Sequence, residues 1–361
     1  MPSFLDRLAC VRRRHWIGIA MAGACVLSLP VQAQETAVEV QLDWRIEGPA
    51  DLFFMPAAKG HFKAEKFNVT IDAGNGAGGT VTRVASGACD TGFADLGALM
   101  ELRANNPTAP SKPVAAAVAV AMPMPMVCDH TPAAVLALKE SGLEKPADLN
   151  GKKLGAPVFD AGRKAWPIFA KTNGVNTISW TAMDPALRET LRLRGDIDAI
   201  TGYSFTPLPN LEASGVEVDD VVLLPYPQYG VKLHGNAIIV SEQLLNKNPE
   251  VVQAFLRAFA KGVKDVVADP KGAIDTVEAR DGIINDELEL QRHTLTLNAT
   301  VLTPDAGAEG IVNALAPRLA LMASQAAEAL ATKACSHPDA VWNASFLRGA
   351  AERDIFAVAR K

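Results

Sequence analysis

GNGAGGTVTRVASGACDTGFADLGAL, residues 74–99, places four glycines within six positions ahead of a run whose Val81, Val84, Ala85 and Ala88 share one helical face. A short apolar segment ending in Asp95 follows. Glycines that release a chain into a helix and then a strand are the turn of a strand–helix–strand unit. Such a turn brings backbone amides close to a neighbour, and the start of the helix suits an anionic or polar group. No lysine–threonine pair follows the loop, and no nucleophile with its base or cluster at metal-ligand spacing surrounds it. The stretch is built to bind, with no catalytic residue and no metal or other cofactor expected.

The same rhythm extends in both directions. AVEVQLDW (37–44) alternates Val38, Val40, Leu42 and Trp44, and FNVTID (67–72) alternates Phe67, Val69 and Ile71, both as strands. Between them lies a helical segment whose Gly60 is a stop. DTGFAD and KPVAAAVAVAM (112–122) read as further strands. From Thr131 to Pro225 a second set of units runs through AAVLALKESG, GRKAWPIFAKTNG, LRETLRLRGDIDAITGY and VDDVVLLPY. GNAIIVS is another strand. NPEVVQAFLRAFAKGVKDVVADP (248–270) is the clearest helix, capped by Asn248 with Pro249 in its first turn. Its apolar stripe is Val252, Phe255, Leu256, Phe259, Val263 and Val267. Strands alternating with helices predict parallel sheets, with ligand sites at the carboxyl ends of the strands.

The first residues read as an export signal. Arg12–Arg14 precede the apolar run WIGIAMAGACVLSL, and Val31-Gln32-Ala33 suits cleavage after Ala33. Arg13-Arg14 is a partial twin-arginine pattern, which leaves the general and twin-arginine routes both open. Cleavage leaves 328 residues, enough for two domains, and removes four arginines and one aspartate, taking the formal charge from −5 to −8. An acidic exported chain without a basic run is a poor partner for nucleic acid or anionic lipid. Cys89, Cys128 and Cys335 remain, too few and too scattered for a zinc site. A Cys89–Cys128 disulfide and buried free thiols are both open readings.

VQLDW (40–44), PAAKGHFKAEKFNVTID (56–72), VASGACDTGFADLGAL (84–99), KPADLNGKKLGAP (145–157), GDIDAITGY (195–203) and YGVKLHGN…VVADP (229–270) occur in one order. In this the chain resembles periplasmic solute-binding proteins of the nitrate, sulfonate and taurine type, a superfamily that includes carriers of thiamine-pyrimidine precursors. The resemblance implies an α/β, two-lobed Venus-flytrap fold of type II. Lobe one would comprise 36–127 plus 232–361 and lobe two 131–226, with hinge crossings near 127–131 and 227–232. It also implies a periplasmic monomer that closes on a small solute and delivers it to an ABC permease in the inner membrane. The alternative in the same superfamily is a thiamine-pyrimidine synthase that holds pyridoxal phosphate on a lysine. Aligned with that enzyme, this chain has Ala94 in place of the lysine and Ala98 in place of a histidine, and its YGVKLHGN lacks the enzyme's cysteines. A Schiff base needs an amine, and alanine has none.

Candidate ligand residues lie at strand ends. Trp44 and Arg45 follow the first strand, one to stack on a ring and the other to grip a carboxylate. Gly78, Gly79 and Thr80 offer amide and hydroxyl donors. Asp95 either caps the next helix or accepts from the solute. In APVFDAGRKAW, Asp160 is a helix cap beside the cleft. Arg163, disfavoured by the helix dipole in a first turn, is a candidate for the pocket. Tyr203 and Phe205 are aromatic wall or hinge, and His234 and Asn236 flank the second crossing. Two arginines and several aromatics predict an anionic, planar solute: an aromatic carboxylate, a sulfonate or a heterocyclic acid.

Overall fold

The computed structural model describes residues 35–105, 130–301, 315–330 and 341–342. The leader, KPVAAAVAVAM and Cys128 lie outside that set, as do Cys335 and most of the first crossing.

The first lobe carries strands β1 (Thr36–Leu42), β2 (Phe67–Asp72), β3 (Thr91–Asp95) and β9 (Asn236–Val240) in the order β2-β1-β3-β9. The second carries β4 (Ala133–Leu138), β5 (Lys152–Ala156), β6 (Ile178–Ala182), β7 (Ala199–Tyr203) and β8 (Val221–Pro225) in the order β6-β5-β7-β4-β8. The sheets are mixed, where the strand–helix rhythm predicts purely parallel ones. β9 runs antiparallel to β3, and β4 antiparallel to β7 and β8. Each of these strands follows a crossing between lobes, so the chain enters its new sheet from the opposite end.

Helices α1 (Asp51–Ala58), α2 (His61–Ala64), α3 (Ala77–Ala85) and α4 (Leu96–Asn105) belong to the first lobe. Gly60, at φ +74, stops α1 as expected. Val81 and Val84 are fully buried, whereas Ala88 is exposed because α3 ends at Ala85. The second lobe adds α5 (Ala161–Asn173), α6 (Arg188–Leu193) and α7 (Pro207–Ala213). Beyond β9 come α8 (Glu242–Lys247), α9 (Pro249–Ala268), α10 (Pro270–Glu278), α11 (Asp286–Thr296) and α12 (Leu315–Leu330). Pro249 opens α9 as predicted, but the Asn248 side chain makes no cap hydrogen bond.

In the first lobe, α1 and α9 cover the sheet. Val38, Val40 and Leu42 meet Phe53, Phe255 and Phe259, with the Phe53 and Phe259 rings 4.7 Å apart. The core of the second lobe centres on Phe169 stacked on Tyr226 at 4.4 Å, and the Tyr226 hydroxyl donates to the Gly162 carbonyl.

Two further features join the lobes, one at the crossings and one at the rim of the cleft. The crossings pair through the Thr131 amide and the Leu233 carbonyl, and Gln325 of α12 bonds both Gly230 O and Lys232 N. On the other side, Arg292 of α11 donates to Thr206 O and Asn210 Oδ1 of the second lobe and pairs with Glu289 and Glu47. A buried guanidinium is tolerated because carboxylates and carbonyls surround it.

The α1–α9 packing rests on one missing side chain. A Cβ at Gly262 would lie 2.3 Å from the Pro56 Cβ of α1. Gly262→Ala is therefore expected to destabilise the protein by about 1–3 kcal/mol, the range for overpacking a core. Gly282→Ala, where nothing lies within 4 Å of the added atom, stays within about 0.5 kcal/mol. Urea unfolding checks both; equal midpoints would refute this account of the contact.

Candidate functional site

The loop after β1 is locked to the glycine turn before it reaches any solute. Gly74 N donates to Trp44 O, and Gly76 N donates to Asp43 O at 2.7 Å. A Cβ on Gly74 would sit 1.9 Å from Leu42 O, so only glycine fits. Gly76, at φ +100, faces Phe159 of the second lobe, whose Cβ would lie 2.6 Å from an added methyl. These glycines thus bring backbone against backbone and lobe against lobe, and Gly76 also lines the cavity between the lobes.

Between the lobes lies a cavity of about 100 Å³, measured for the centre of a water molecule. Its wall is aromatic: Trp44 and Phe93 from the first lobe, Phe159, Tyr203 and Phe205 from the second. The Trp44 and Phe159 rings meet edge-on at 5.7 Å across the cleft. The indole Nε1 of Trp44 is buried with no hydrogen-bond partner among the described residues, a costly state for a donor unless a solute completes it.

Polar groups at the edge of the cavity link the lobes. Tyr203 Oη, at the end of β7, lies 2.8 Å from Asp95 Oδ2 and 3.2 Å from Asn236 Oδ1. Asp95 and Asn236 face each other in the β3–β9 ladder, and Asn236 Nδ2 donates to Asp43 Oδ2 at 2.9 Å. Asp95 also caps α4 through the amides of Gly97 and Ala98. Burial pushes the Asp43 carboxyl up to about 7; the Asn236 bond opposes this and the Asp95 charge adds to it. Burial likewise raises Asp95 to about 6, against the Tyr203 hydroxyl and the two amides.

The predicted residues divide accordingly. Trp44, Arg45, Asp160, Tyr203 and Asn236 line this cavity, with Phe205. Arg45 is exposed and paired with Glu47 at 3.0 Å. Asp160 is the α5 cap, accepting from Arg163 N and Thr201 Oγ1. Gly78, Gly79 and Asp95 line a second cavity beyond Phe159. Thr80 is buried and donates to Leu42 O, and the amides of Gly79 and Thr80 bond Gly76 O inside the helix, so the donors expected of Gly79 and Thr80 are spent on the fold. Arg163 does not reach the cleft: its guanidinium donates to Ala156 O and stacks over Trp180. His234 is fully buried beside the crossing, outside both cavities.

Asp43, Glu47, Phe159 and Arg188 line the cavity without having been singled out from sequence. Asp43 and Phe159 carried the same strand-end signal as Trp44 and Asp160. Arg188 carried none, sitting in an ordinary amphipathic run. Its guanidinium is buried; the charges of Glu189 and Asp160 more than offset burial and hold it protonated. It is 2.7 Å from Glu189 Oε1 and 3.5 Å from Asp160 Oδ2.

Two α/β lobes joined by crossings around an aromatic cleft define the two-lobed fold that periplasmic solute-binding proteins also have. The sulfonate-binding protein SsuA of Escherichia coli has the same fold, with a TM-score of 0.60 at 13% identity over 87% of this chain and 94% of that one. The chain belongs to the family described as NMT1/THI5 like, whose profile matches residues 52–273. It is 28% identical to the riboflavin-binding protein RibY of Chloroflexus aurantiacus over 67% of this chain and 66% of that protein. It is 27% identical to the 4-amino-5-hydroxymethyl-2-methylpyrimidine phosphate synthase of Aspergillus parasiticus over 62% and 64%. A formylaminopyrimidine-binding protein of Halalkalibacterium halodurans is 25% identical over 74% and 77%. The first two matches span slightly less than two thirds of those relatives.

The Asp43 carboxyl gives the cleft a pH signature. Between its ordinary 3.8 and about 7, the folded protein keeps a proton that the unfolded chain has lost, so its contribution to stability falls as pH rises through that window. Melting temperature is expected to drop from pH 5 to pH 8, and Asp43→Asn to flatten the drop. An unchanged slope in the variant would show that Asp43 does not titrate there.

Proposed function

We propose that this chain is the exported, periplasmic solute-binding component of an ABC importer, closing on an uncharged planar nitrogen heterocycle. One observation carries the choice of solute. The cavity's arginines are already satisfied, Arg45 by Glu47 and Arg188 by Glu189 and Asp160, whereas the Trp44 indole N–H still lacks an acceptor. An anion would meet Asp43 and, among the described residues lining the cavity, only arginines already paired with carboxylates, and burying such a charge unpaired is expensive. A ring nitrogen or carbonyl would complete Trp44, and a ring N–H would suit Asp43 and Asn236. The relatives named for binding riboflavin and a formylaminopyrimidine take planar nitrogen heterocycles without a phosphate in their names. This replaces the carboxylate or sulfonate expected from two cleft arginines.

A binding role, as opposed to synthesis, is supported by Ala94, buried in β3 opposite Ala237, and by Ala98 in α4. Neither can form an imine or transfer a proton. Pyridoxal phosphate added to the protein is expected to give no imine absorbance, and a borohydride-trapped lysine adduct in the cleft would overturn the carrier reading.

Calorimetry with flavins and pyrimidines tests the solute class. Trp44→Ala is expected to cost about 1–3 kcal/mol of affinity, on the scale of aromatic stacking under a base. Trp44→Phe isolates the hydrogen bond at about 0.5–1.5 kcal/mol. Arg163→Ala should bind within twofold of the parent. A hundredfold loss there would restore the anionic solute.

A further inference from the structure

Beyond the aromatic cavity lies a second one of about 350 Å³ on the same measure. The two share the side chains of Ala77, Phe159 and Ala161. Ala77 and Ala161 are the first residues of α3 and α5, one from each lobe. The two cavities therefore adjoin along these three small or apolar residues. Chemically the chambers differ. Phe159 is the only aromatic lining the second chamber among the described residues, and its polar groups are Asp95, Glu101 and Lys164. Gly78, Gly79 and Gly97 also line it, and a Cβ at Gly78 or Gly79 would meet nothing within 4 Å.

We propose that the solute is a planar ring carrying a flexible, uncharged, hydroxyl-bearing tail, with the ring in the aromatic cavity and the tail passing the Ala77–Ala161 seam into the second. The inference rests on reading the first cavity as the ring site. Hydroxyls donate to the two carboxylates and accept from Lys164, so a polyol chain satisfies donors and acceptors of both signs. A phosphate or sulfonate tail would face two carboxylates with one lysine to offset them.

Calorimetry with matched probes separates the outcomes: lumichrome against riboflavin, uracil against uridine, and riboflavin 5′-phosphate. The tailed member of at least one pair is expected to bind tenfold or more tightly than its bare ring, and riboflavin 5′-phosphate more weakly than riboflavin. Gly78→Met, which fills the second chamber from an unobstructed helical position, should erase the tailed member's advantage and leave the bare ring's Kd within twofold. Its melting temperature reports that the fold is retained. Bare and tailed rings binding equally, the phosphate binding tightest, or Gly78→Met weakening both alike would each overturn the tail and leave the ring site standing. If none of the five probes binds, the ring reading itself falls, and the tail with it.

Discussion

The cleft depends on one phenol. Tyr203, carried on the last residue of β7, reaches across to Asp95 and Asn236, which close the β3–β9 ladder of the other lobe. Its single proton can serve only one of two acceptors at a time. When Asp95 is ionised, that proton goes to the carboxylate. When Asp95 is protonated, Asp95 donates to Tyr203, Tyr203 to the Asn236 carbonyl, and Asn236 to Asp43, so the bonds run in one direction across the cleft. Buried polar chains of this kind are stable only when every member is satisfied. With burial raising Asp95 to about 6 and Asp43 to about 7, the network sits near the pH at which its proton inventory changes.

The fold was legible because its signals were local. Val38, Val40 and Leu42 alternate as a half-buried strand must, and Phe255, Phe259 and Val263 recur at helical spacing. Pairing direction was not legible. Nothing within GNAIIVS says from which end β9 enters its sheet, since that is set by the crossing before it. The Asn248 cap failed for a similar reason: residue type suits the position, but the local backbone leaves the side chain no bond to make.

The site was half legible. Strand ends identified Trp44, Asp95, Asp160, Tyr203 and Asn236, because in an α/β sheet that is where ligands collect. Charge partners could not be read. Arg163 looked misplaced at a helix start and hence available, yet Ala156 O and the Trp180 ring occupy it. Arg188, thirteen residues before Thr201 in sequence, lines the cavity together with Arg45, and it arrives neutralised by Glu189 and Asp160. A count of cationic residues near a cleft therefore does not say how many of them reach it, or reach it unpaired. Gly74 and Gly76 are required by close backbone approach, but the partner is the loop after β1 and Phe159, with the open space lying in front of Gly78 and Gly79.

Closure of two lobes on a planar solute is the central claim, and small-angle scattering reads it directly. The radius of gyration of the mature protein should fall on saturation with a flavin or pyrimidine that raises its melting temperature, since contacts such as Tyr203–Asp95 and Trp44–Phe159 form only when the lobes meet. Tyr203→Phe should compact less at the same occupancy. Thermal stabilisation at an unchanged radius, in both proteins, would place the solute on a single lobe and contradict the account.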